Sequence, residues 1–317
     1  MSETIKIKVP ATTANLGPGF DTLSLALDWY NEFIFRVTKA GLKINQQNTS
    51  NLPQDSTNLV YKSFCEVFKK LKKTPPGIEL DINCHIPQAS GLGSSASAVV
   101  SGLLAANSML DNALSRDEIL SLATKLEGHP DNVAAAIYGG LTISVSYDEN
   151  VVVSKFPWPK ELLVIVVVPD FELPTRISRE LLPSKVTFGD ATFNVSRTAF
   201  LLSGLLNKNW DGLKIGFQDR LHQPYRKDLV PGMETVLNEG LEKGACGAIL
   251  SGAGPTLVAF INDKSKAETI GKAMTKKWED FKVKSDYKVL NVATDGAQTE
   301  KMGLEVRRSG GPEVLRS

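Results

Sequence analysis

The chain has 317 residues, with 36 lysines and arginines against 35 aspartates and glutamates, and a formal net charge of +1 at pH 7. This balance excludes a role driven by bulk charge, so we expect neither nucleic acid nor a membrane as partner. The length predicts two domains, and 42% hydrophobic residues are ordinary for a globular protein. Three cysteines without C-x-x-C spacing, and an N-terminus without an apolar signal core, predict a reduced, cytoplasmic protein.

The first half of the chain mixes short strand patterns with helix patterns. Residues 5–9 alternate apolar and polar side chains, as a half-buried strand does. They run into a loop over residues 10–21 that is rich in glycine and proline. Later segments repeat the strand period of two or the helix period of 3.6. We predict strands over residues 22–28, 32–37, 78–82 and 141–145, and helices over residues 57–71, 98–107, 119–126 and 133–137.

A polar hairpin segment at residues 147–150, followed by Pro157-Trp158-Pro159, predicts a boundary between domains 1–160 and 161–317. The second half opens with an apolar run over residues 162–168, typical of a fully buried strand. We predict further helices over residues 196–206 and 232–243, and strands over residues 248–250, 256–261 and 287–291. With one more helix before the last strand, this order is typical of an α+β sandwich of ferredoxin type. The tail from Gly303 is predicted to be extended or loosely ordered.

A segment rich in glycine and serine directly precedes the helix predicted at 98–107. Gly91 and Gly93 let the backbone turn tightly and approach a ligand without hindrance from a Cβ atom. The serines can cap the helix that follows, whose first amide groups attract anions. We therefore predict a phosphate cradle that binds the cofactor through eleven consecutive residues: Pro87, Gln88, Ala89, Ser90, Gly91, Leu92, Gly93, Ser94, Ser95, Ala96 and Ser97.

Three other interpretations of this segment compete with the phosphate cradle. A P-loop requires a lysine after its last glycine, and none follows Gly93. The dinucleotide fingerprint G-x-G-x-x-A is matched by Gly91 to Ala96, but it also needs an acidic residue at the end of a second strand. Asp111 has the required distance and lies between two helix patterns instead. A turn of small residues that only packs a helix on a sheet remains the simplest alternative.

Four polar residues cluster where one predicted helix ends and the next begins: Glu127, His129, Asp131 and Asn132. A polar cap alone could explain them, because an acidic residue at a helix start is stabilised by the helix dipole. Phosphoryl transfer, however, needs one carboxylate that can hold Mg²⁺ and another that faces the attacking hydroxyl. The neighbouring phosphate cradle favours this second interpretation.

On these residues the chain resembles the GHMP kinases, a superfamily that includes galactokinases, homoserine kinases and mevalonate kinases. Their shared loop P-x-x-x-G-L-G-S-S-A is matched from Pro87 to Ala96. Within that superfamily the chain is similar to the homoserine kinase family, over roughly residues 5–295. The similarity rests on an opening motif at residues 10–21 and on residues 129–132, 175–183, 224–226 and 251–256.

The resemblance implies a two-domain α+β fold, with an N-terminal domain like domain 2 of ribosomal protein S5 and a ferredoxin-like C-terminal α/β sandwich. It implies transfer of the ATP γ-phosphoryl group to the side-chain hydroxyl of L-homoserine, a step in threonine biosynthesis. The implied cofactors are ATP and Mg²⁺, and the implied assembly is a homodimer.

The resemblance also implies roles for individual residues. Asp131 and Asn132 would be catalytic, and Ser95 and Glu127 would hold Mg²⁺. Six residues would bind the substrate: Asn15, Asp21, His129, Arg179, Arg226 and Thr256. Among them Asp21 and His129 would meet the ammonium group, and the two arginines the carboxylate. Two points stay open: whether Asp131 acts as a general base, and whether Arg176 or Arg179 faces the substrate.

Competing functions come from the same class and from others. A GHMP kinase that acts on a different alcohol, such as mevalonate, is the nearest alternative. A binding protein that senses nucleotides on the same scaffold is another, since a fold alone does not define a function. A nicotinamide oxidoreductase is the most distant one.

Overall fold

The chain folds around two β-sheets, and the computed structural model describes it over residues 4–48, 52–148 and 150–302. Two predictions fall partly or wholly outside these ranges. The tail from Gly303, predicted to be extended or loosely ordered, lies outside the described residues. Glu149 in the predicted hairpin segment also lies outside the described residues. The strands on either side of it, residues 141–147 and 150–156, pair with each other in antiparallel fashion.

The first sheet has seven strands and carries four helices. Alternation along its first strand is clear, because Ile5, Ile7 and Val9 are fully buried whereas the residues between them are half-buried. In chain order the elements are β1 Thr4–Ala14, β2 Leu23–Thr38, β3 Leu42–Gln47, α1 Leu59–Lys70, β4 Gly77–Asn83, α2 Ser94–Met109, α3 Arg116–Glu127, α4 Asp131–Tyr138, β5 Leu141–Tyr147 and β6 Asn150–Phe156. The seventh strand, described below, comes from the far end of the chain.

The second sheet has four antiparallel strands. Its part of the chain comprises β7 Leu163–Pro169, α5 Thr175–Glu180, α6 Phe188–Leu206, α7 Trp210–Gly216, α8 Gln223–Arg226, α9 Met233–Glu242, β8 Gly247–Leu250, β9 Leu257–Ile261, α10 Lys264–Glu279 and β10 Ser285–Leu290. The strand order is β10-β7-β9-β8. Numbered from the first of these strands, this is the order 4-1-3-2 of ferredoxin-like sandwiches, so the predicted C-terminal architecture is confirmed.

The last described strand, β11 Gln298–Met302, returns to the first sheet and pairs with β1. A division of the chain between residues 160 and 161 therefore separates one strand from its own sheet. The two halves also share one apolar core, which includes Leu23 and Leu25 of β2 and Phe260 of β9. Because this core is continuous, loops from both halves are held firmly against each other.

Some element boundaries differ from the predicted ones. The strands predicted at residues 22–28 and 32–37 form the single strand β2. Its pairing with β1 shifts in register between Pro10 and Ala11, and this irregularity explains the interrupted pattern. The helix after the glycine loop begins at Ser94, four residues earlier than predicted. The sequence pattern also failed to indicate β3, β6, β11 and the helices α5, α7 and α8.

Candidate active site

The loop between β4 and α2 has the open backbone that a phosphate cradle requires. The φ angles of Ala89, Gly91 and Gly93 are all positive. A Cβ atom on Gly93 would lie 2.0 Å from Thr12 Oγ1, and one on Gly91 would lie 2.3 Å from the backbone oxygen of Ser251. Both glycines are therefore required, because the loop is compressed between β1 on one side and the turn before β9 on the other.

The start of α2 is not capped by a serine, so that prediction is wrong. Gly93 is the N-cap residue, in a left-handed conformation, and no side chain bonds to the first amide groups. Ser97 donates its hydroxyl proton to the backbone oxygen of Ser94, and it accepts a hydrogen bond from Asn31 Nδ2. The first amide groups of α2 consequently stay open to an anion from outside the helix.

The predicted cradle residues divide into those that line the site and those that support it. The residues of the loop that line a polar cleft are Ala89, Ser90, Gly91, Gly93, Ser94, Ser95 and Ala96. Gln88 lines an adjoining apolar cavity. The side chains of Leu92 and Ser97 are fully buried in the fold, and Pro87 lines a separate cleft beside Trp29. The cofactor contact of these three residues stays a prediction, because it would be made through the backbone, which the burial of a side chain does not test.

A second glycine-rich turn, residues 251–255 between β8 and β9, packs against the cradle from the other half of the chain. Ser251 donates its hydroxyl proton to the backbone oxygen of Gly91 over 2.7 Å. The amide of Gly252 donates to the backbone oxygen of Ala14 at the end of β1. The polar cleft is thus assembled from both halves of the fold.

Thr256, which is predicted to bind the substrate, lies beside the cradle. Its side chain is fully buried and is absent from the residues that line the polar cleft. Its backbone amide donates to the backbone oxygen of Ser90, so the residue supports the cradle.

The loop over residues 15–21 forms another wall of the cleft. Asn15 and Asp21 both have positive φ angles, of 70° and 52°. Asn15 Oδ1 accepts a hydrogen bond from the amide of Asp21, and Asn15 Nδ2 donates to the backbone oxygen of Gly252. Asn15 therefore shapes this loop through both ends of its amide while it also lines the cleft.

Arg179, and not Arg176, faces the cleft. Arg179 forms a bidentate ion pair with Asp21, with distances of 2.7 Å (Nη2 to Oδ1) and 3.1 Å (Nη1 to Oδ2). Arg176 pairs with Glu180 on the outer side of α5, and its side chain is 79% exposed. The two arginines thus have different surroundings, although they lie only three residues apart on α5.

Arg226 is a buried cation whose supports are all neutral. Its guanidinium donates to the backbone oxygens of Ser178 and Gly252 and to Nδ1 of His222. Within the described ranges, no carboxylate lies within 4.0 Å of it. Burial and the charge of Arg179 lower the pKa of Arg226 to about 10, so it stays protonated at neutral pH. Because Arg226 lines the cleft, it presents a positive charge that no carboxylate of the described residues contacts directly.

His129, Asp131 and Asn132 form a connected group at the start of α4. His129 Nδ1 lies 2.6 Å from Asp131 Oδ1, which also accepts a hydrogen bond from the amide of Asn132. Burial opposes the charged form of His129, but the hydrogen bond and charge of Asp131 outweigh it and raise the pKa of the imidazole. Asn132 Oδ1 accepts a hydrogen bond from Thr12 Oγ1 over 2.7 Å. The predicted catalytic pair is therefore held in place from β1 and from its own helix start.

Two groups of residues could hold a metal ion. Ligand atoms of Asp21, His129 and Asp131 lie within 4.8 Å of one another. In that group, however, Asp21 already pairs with Arg179, and Asp131 with His129. A metal ion bound there would have to displace Arg179 from Asp21 and His129 from Asp131.

The predicted metal residues form a better candidate. Ser95 donates its hydroxyl proton to Glu127 Oε1 over 2.6 Å, at the edge of the cradle. Burial raises the pKa of Glu127, and the hydrogen bond from Ser95 and the charge of His129 offset this only in part. A hydroxyl oxygen and a carboxylate oxygen are ligands that suit Mg²⁺. The residues present therefore fit this ion.

An apolar cavity of about 270 Å³ adjoins the polar cleft, and the sequence had not indicated it. This volume is near the lower end of the ~300–1,000 Å³ of small-molecule sites. Its walls come from four elements and two loops, and include Asn31, Phe33, Leu52, Thr57, Asn58, Val60, Cys84 and Ala98. It shares Ala89, Ser94 and Ser95 with the polar cleft, so one elongated ligand could occupy both.

Comparison with known proteins gives the same assignment at three levels. The family descriptions "GHMP kinases N terminal domain" and "GHMP kinases C terminal" match residues 58–140 and 201–280. The chain is 43% identical over 310 residues to a homoserine kinase from Halothermothrix orenii, with 96% of this chain and 98% of that protein covered. It is 40% identical over 299 residues to one from Crocosphaera subtropica, with 93% and 97% covered.

The fold comparison agrees with the sequence comparison. The crystal structure of homoserine kinase from Cytophaga hutchinsonii superposes with a TM-score of 0.86 at 32% identity, covering 94% of this chain and 97% of that one. Similarity of this extent spans both sheets and the cleft between them. On the cradle, the cleft and these relatives together, the chain belongs to the homoserine kinase family of the GHMP kinases.

Proposed function

We propose that the protein transfers the γ-phosphoryl group of ATP to the side-chain hydroxyl of L-homoserine, and so makes O-phospho-L-homoserine for threonine biosynthesis. The homoserine kinases named above, matched over more than 90% of this chain, support this assignment. One observation in the site carries it. Arg226 is a buried guanidinium next to a phosphate cradle, no carboxylate of the described residues contacts it directly, and an amino-acid substrate offers it one.

ATP is expected to occupy the cradle and the apolar cavity together. The open amide groups of α2 and the positive-φ loop suit its phosphates, and the adjoining cavity suits its nucleoside. Ser95 and Glu127 would hold Mg²⁺, which neutralises phosphate charge when it is bound.

The polar cleft suits a zwitterion. Arg226 offers positive charge to a carboxylate, and Asp21 offers negative charge to an ammonium group. Asp21 is paired with Arg179 in this structure. An entering substrate therefore breaks this ion pair, and its ammonium group and carboxylate become the new partners of Asp21 and Arg179. A hydroxy acid or a sugar lacks the ammonium group needed for that exchange, and it would leave Asp21 without a new partner.

Catalysis here relies on positioning and on charge. Asp131 Oδ1 is occupied by His129 and by the amide of Asn132, which leaves Oδ2 as the oxygen available to a substrate hydroxyl. Asn132 is held by Thr12, so its amide side chain can orient that hydroxyl. Holding the hydroxyl in line with the γ-phosphoryl group is the largest contribution we assign to these residues.

An ADP-release assay with L-homoserine, mevalonate, galactose and L-serine tests the proposal. We expect homoserine to give the highest kcat/KM and to require both ATP and Mg²⁺. Serine is one methylene shorter, so its hydroxyl cannot reach the phosphate while both charged ends stay paired. A kcat/KM for mevalonate equal to or higher than that for homoserine would contradict the assignment.

The proposal extends to location and assembly. A cytoplasmic enzyme is supported by three free thiols, those of Cys65, Cys84 and Cys246, and by the use of ATP. None of the helices in the described ranges has the length and apolar character that a membrane crossing needs. The homodimer rests on the resemblance to the family, and light scattering of the purified protein tests it.

A further inference from the structure

His222 is fully buried and directly precedes α8. Its hydrogen-bond partners define which ring nitrogen carries the proton. Nε2 lies 2.8 Å from the backbone oxygen of Gly17, and a carbonyl oxygen can only accept a hydrogen bond. Nδ1 lies 3.1 Å from Arg226 Nη1, and a guanidinium can only donate. Both contacts are satisfied together by one form alone, the neutral imidazole with its proton on Nε2.

The charged groups around His222 are compatible with this neutral form. Asp219 Oδ2 lies 3.6 Å from Nε2, farther away than the Gly17 oxygen, and it accepts backbone hydrogen bonds from His222 and Gln223. The charge of Arg226 disfavours an imidazolium, whereas the charges of Asp219 and Asp21 favour it. Burial, the largest contribution, lowers the pKa of His222. Phe20 stacks on the ring with centroids 5.3 Å apart and excludes water from that face.

The guanidinium of Arg226 gains its orientation from these neutral acceptors. Nε and Nη1 are used by Ser178, Gly252 and His222, and Nη2 has no hydrogen-bond partner among the described residues. An acidic residue in the place of His222 would hold the arginine equally well but would neutralise it. A neutral acceptor orients the cation and leaves its charge available.

We propose that His222 is a positioning residue for substrate recognition: as the neutral Nε2-protonated imidazole, it holds Arg226 so that this arginine keeps its charge for the carboxylate of the substrate. The inference rests on the proposed function, because it names how the same site selects a carboxylate. It assigns to His222 no contact with the substrate itself.

The first test needs no variant. The chain has three histidines, His85, His129 and His222, so ¹⁵N-histidine labelling resolves three imidazoles by NMR. We expect one ring to stay neutral, with the proton on Nε2, from pH 8 down to pH 6, and to disappear from the spectrum in His222→Phe. A protonated ring or a proton on Nδ1 at neutral pH would overturn the proposal, whatever the enzyme phosphorylates.

The second test separates positioning from general damage. His222→Phe keeps an aromatic ring at this position but removes both hydrogen bonds. We expect the KM for homoserine to rise about 10-fold, because this is the effect of losing one charge-assisted hydrogen bond. The KM for ATP, and kcat/KM for homoserine amide, which has no carboxylate charge, should change less than twofold. His222→Gln offers both an acceptor and a donor, so it should restore part of the affinity for homoserine.

The matched control is His85→Phe, which changes an exposed histidine outside the cleft and should leave all these constants unchanged. Equal losses with homoserine and with its amide would contradict the proposal, as would a loss confined to ATP. A wild-type enzyme that does not phosphorylate homoserine would instead refute the proposed function, while the NMR result would still report on the proton of His222.

Discussion

Asp21 and Arg179, 158 positions apart in the chain, pair through two hydrogen bonds of 2.7 and 3.1 Å across the polar cleft. They are the residues expected to meet the ammonium and the carboxylate of a zwitterion, and in the protein alone they satisfy each other. Substrate binding therefore replaces an ion pair that already exists. A ligand that carries only one of the two charges leaves one partner of that pair without a counter-ion in a half-buried place, which is unfavourable.

Asp21→Asn tests this exchange. The change removes the partner of Arg179 and the charge offered to the ammonium group, so kcat/KM for homoserine should fall roughly 10- to 200-fold, as for other charged hydrogen bonds. The binding of 4-hydroxybutyrate, which lacks the ammonium group, should not weaken and should improve, because Arg179 is released. Calorimetry with both ligands checks this, and an equal loss for the two would contradict the exchange.

Arg226→Ala should damage the use of homoserine with little change in the affinity for ATP. The carboxylate loses its main cationic partner, and we expect kcat/KM to fall roughly 10- to 200-fold. Arg226→Lys keeps the charge without the planar fork and should recover part of the loss. The matched control is Arg176→Ala, since that side chain is 79% exposed and pairs outside the cleft. Steady-state kinetics would contradict the assignment if Arg176→Ala were the more harmful change.

Gly93→Val should abolish ATP binding in a folded protein. The φ angle of 69° is unfavourable for a β-branched residue by about 1–3 kcal/mol, and the new side chain would meet Thr12 Oγ1. The control is Gly41→Val, because Gly41 has a φ angle of 85° but no atom within 4 Å of an added Cβ. Calorimetric titration with ATP should show binding to the control and none to Gly93→Val. Tight binding by both would show that the loop is only structural.

Glu127→Gln should raise the Mg²⁺ concentration needed for half-maximal activity. The amide is a weaker ligand than a carboxylate, and we expect a shift of roughly 10- to 100-fold with a smaller effect at saturating Mg²⁺. Ser95→Ala should shift the requirement in the same direction. Glu180→Gln, an exposed change on α5, serves as the control. Activity measured against Mg²⁺ concentration at fixed ATP checks this. An unchanged Mg²⁺ requirement in both Glu127→Gln and Ser95→Ala would show that these two residues do not hold the metal.

The ion pair of His129 and Asp131 should stabilise the fold more at pH 6 than at pH 9. The folded pKa of His129 is raised above its ordinary value by Asp131, against the effect of burial. This contribution is fully present below the unfolded pKa of about 6.5 and is lost as the pH rises through the folded pKa. His129→Asn should therefore cost about 1.5–3 kcal/mol of unfolding free energy at pH 6 and less at pH 9. Urea denaturation at both pH values measures this, and a larger cost at pH 9 would contradict the pairing.

Local patterns in the sequence were sufficient for much of the fold and part of the site. Alternating apolar and polar residues located β1, because a strand buried on one face repeats every two residues. A continuous apolar run located β7, because this strand is buried on both faces. The cradle was also visible, since Gly91 and Gly93 are needed for backbone reasons that act within a few residues. The cluster from Glu127 to Asn132 was found for the same reason, as its members are neighbours in the chain.

Only the tertiary structure shows which of these residues line the polar cleft. Arg176 and Arg179 look alike in the sequence, and only the packing of α5 shows that Arg179 meets Asp21. Thr256 belongs to a matching motif, yet it is buried behind the cradle. The apolar cavity and the contact of His222 with the backbone oxygen of Gly17 depend on how separate elements meet. Such contacts join segments far apart in the chain, so they leave no local period or spacing, whereas a helix or a glycine turn does.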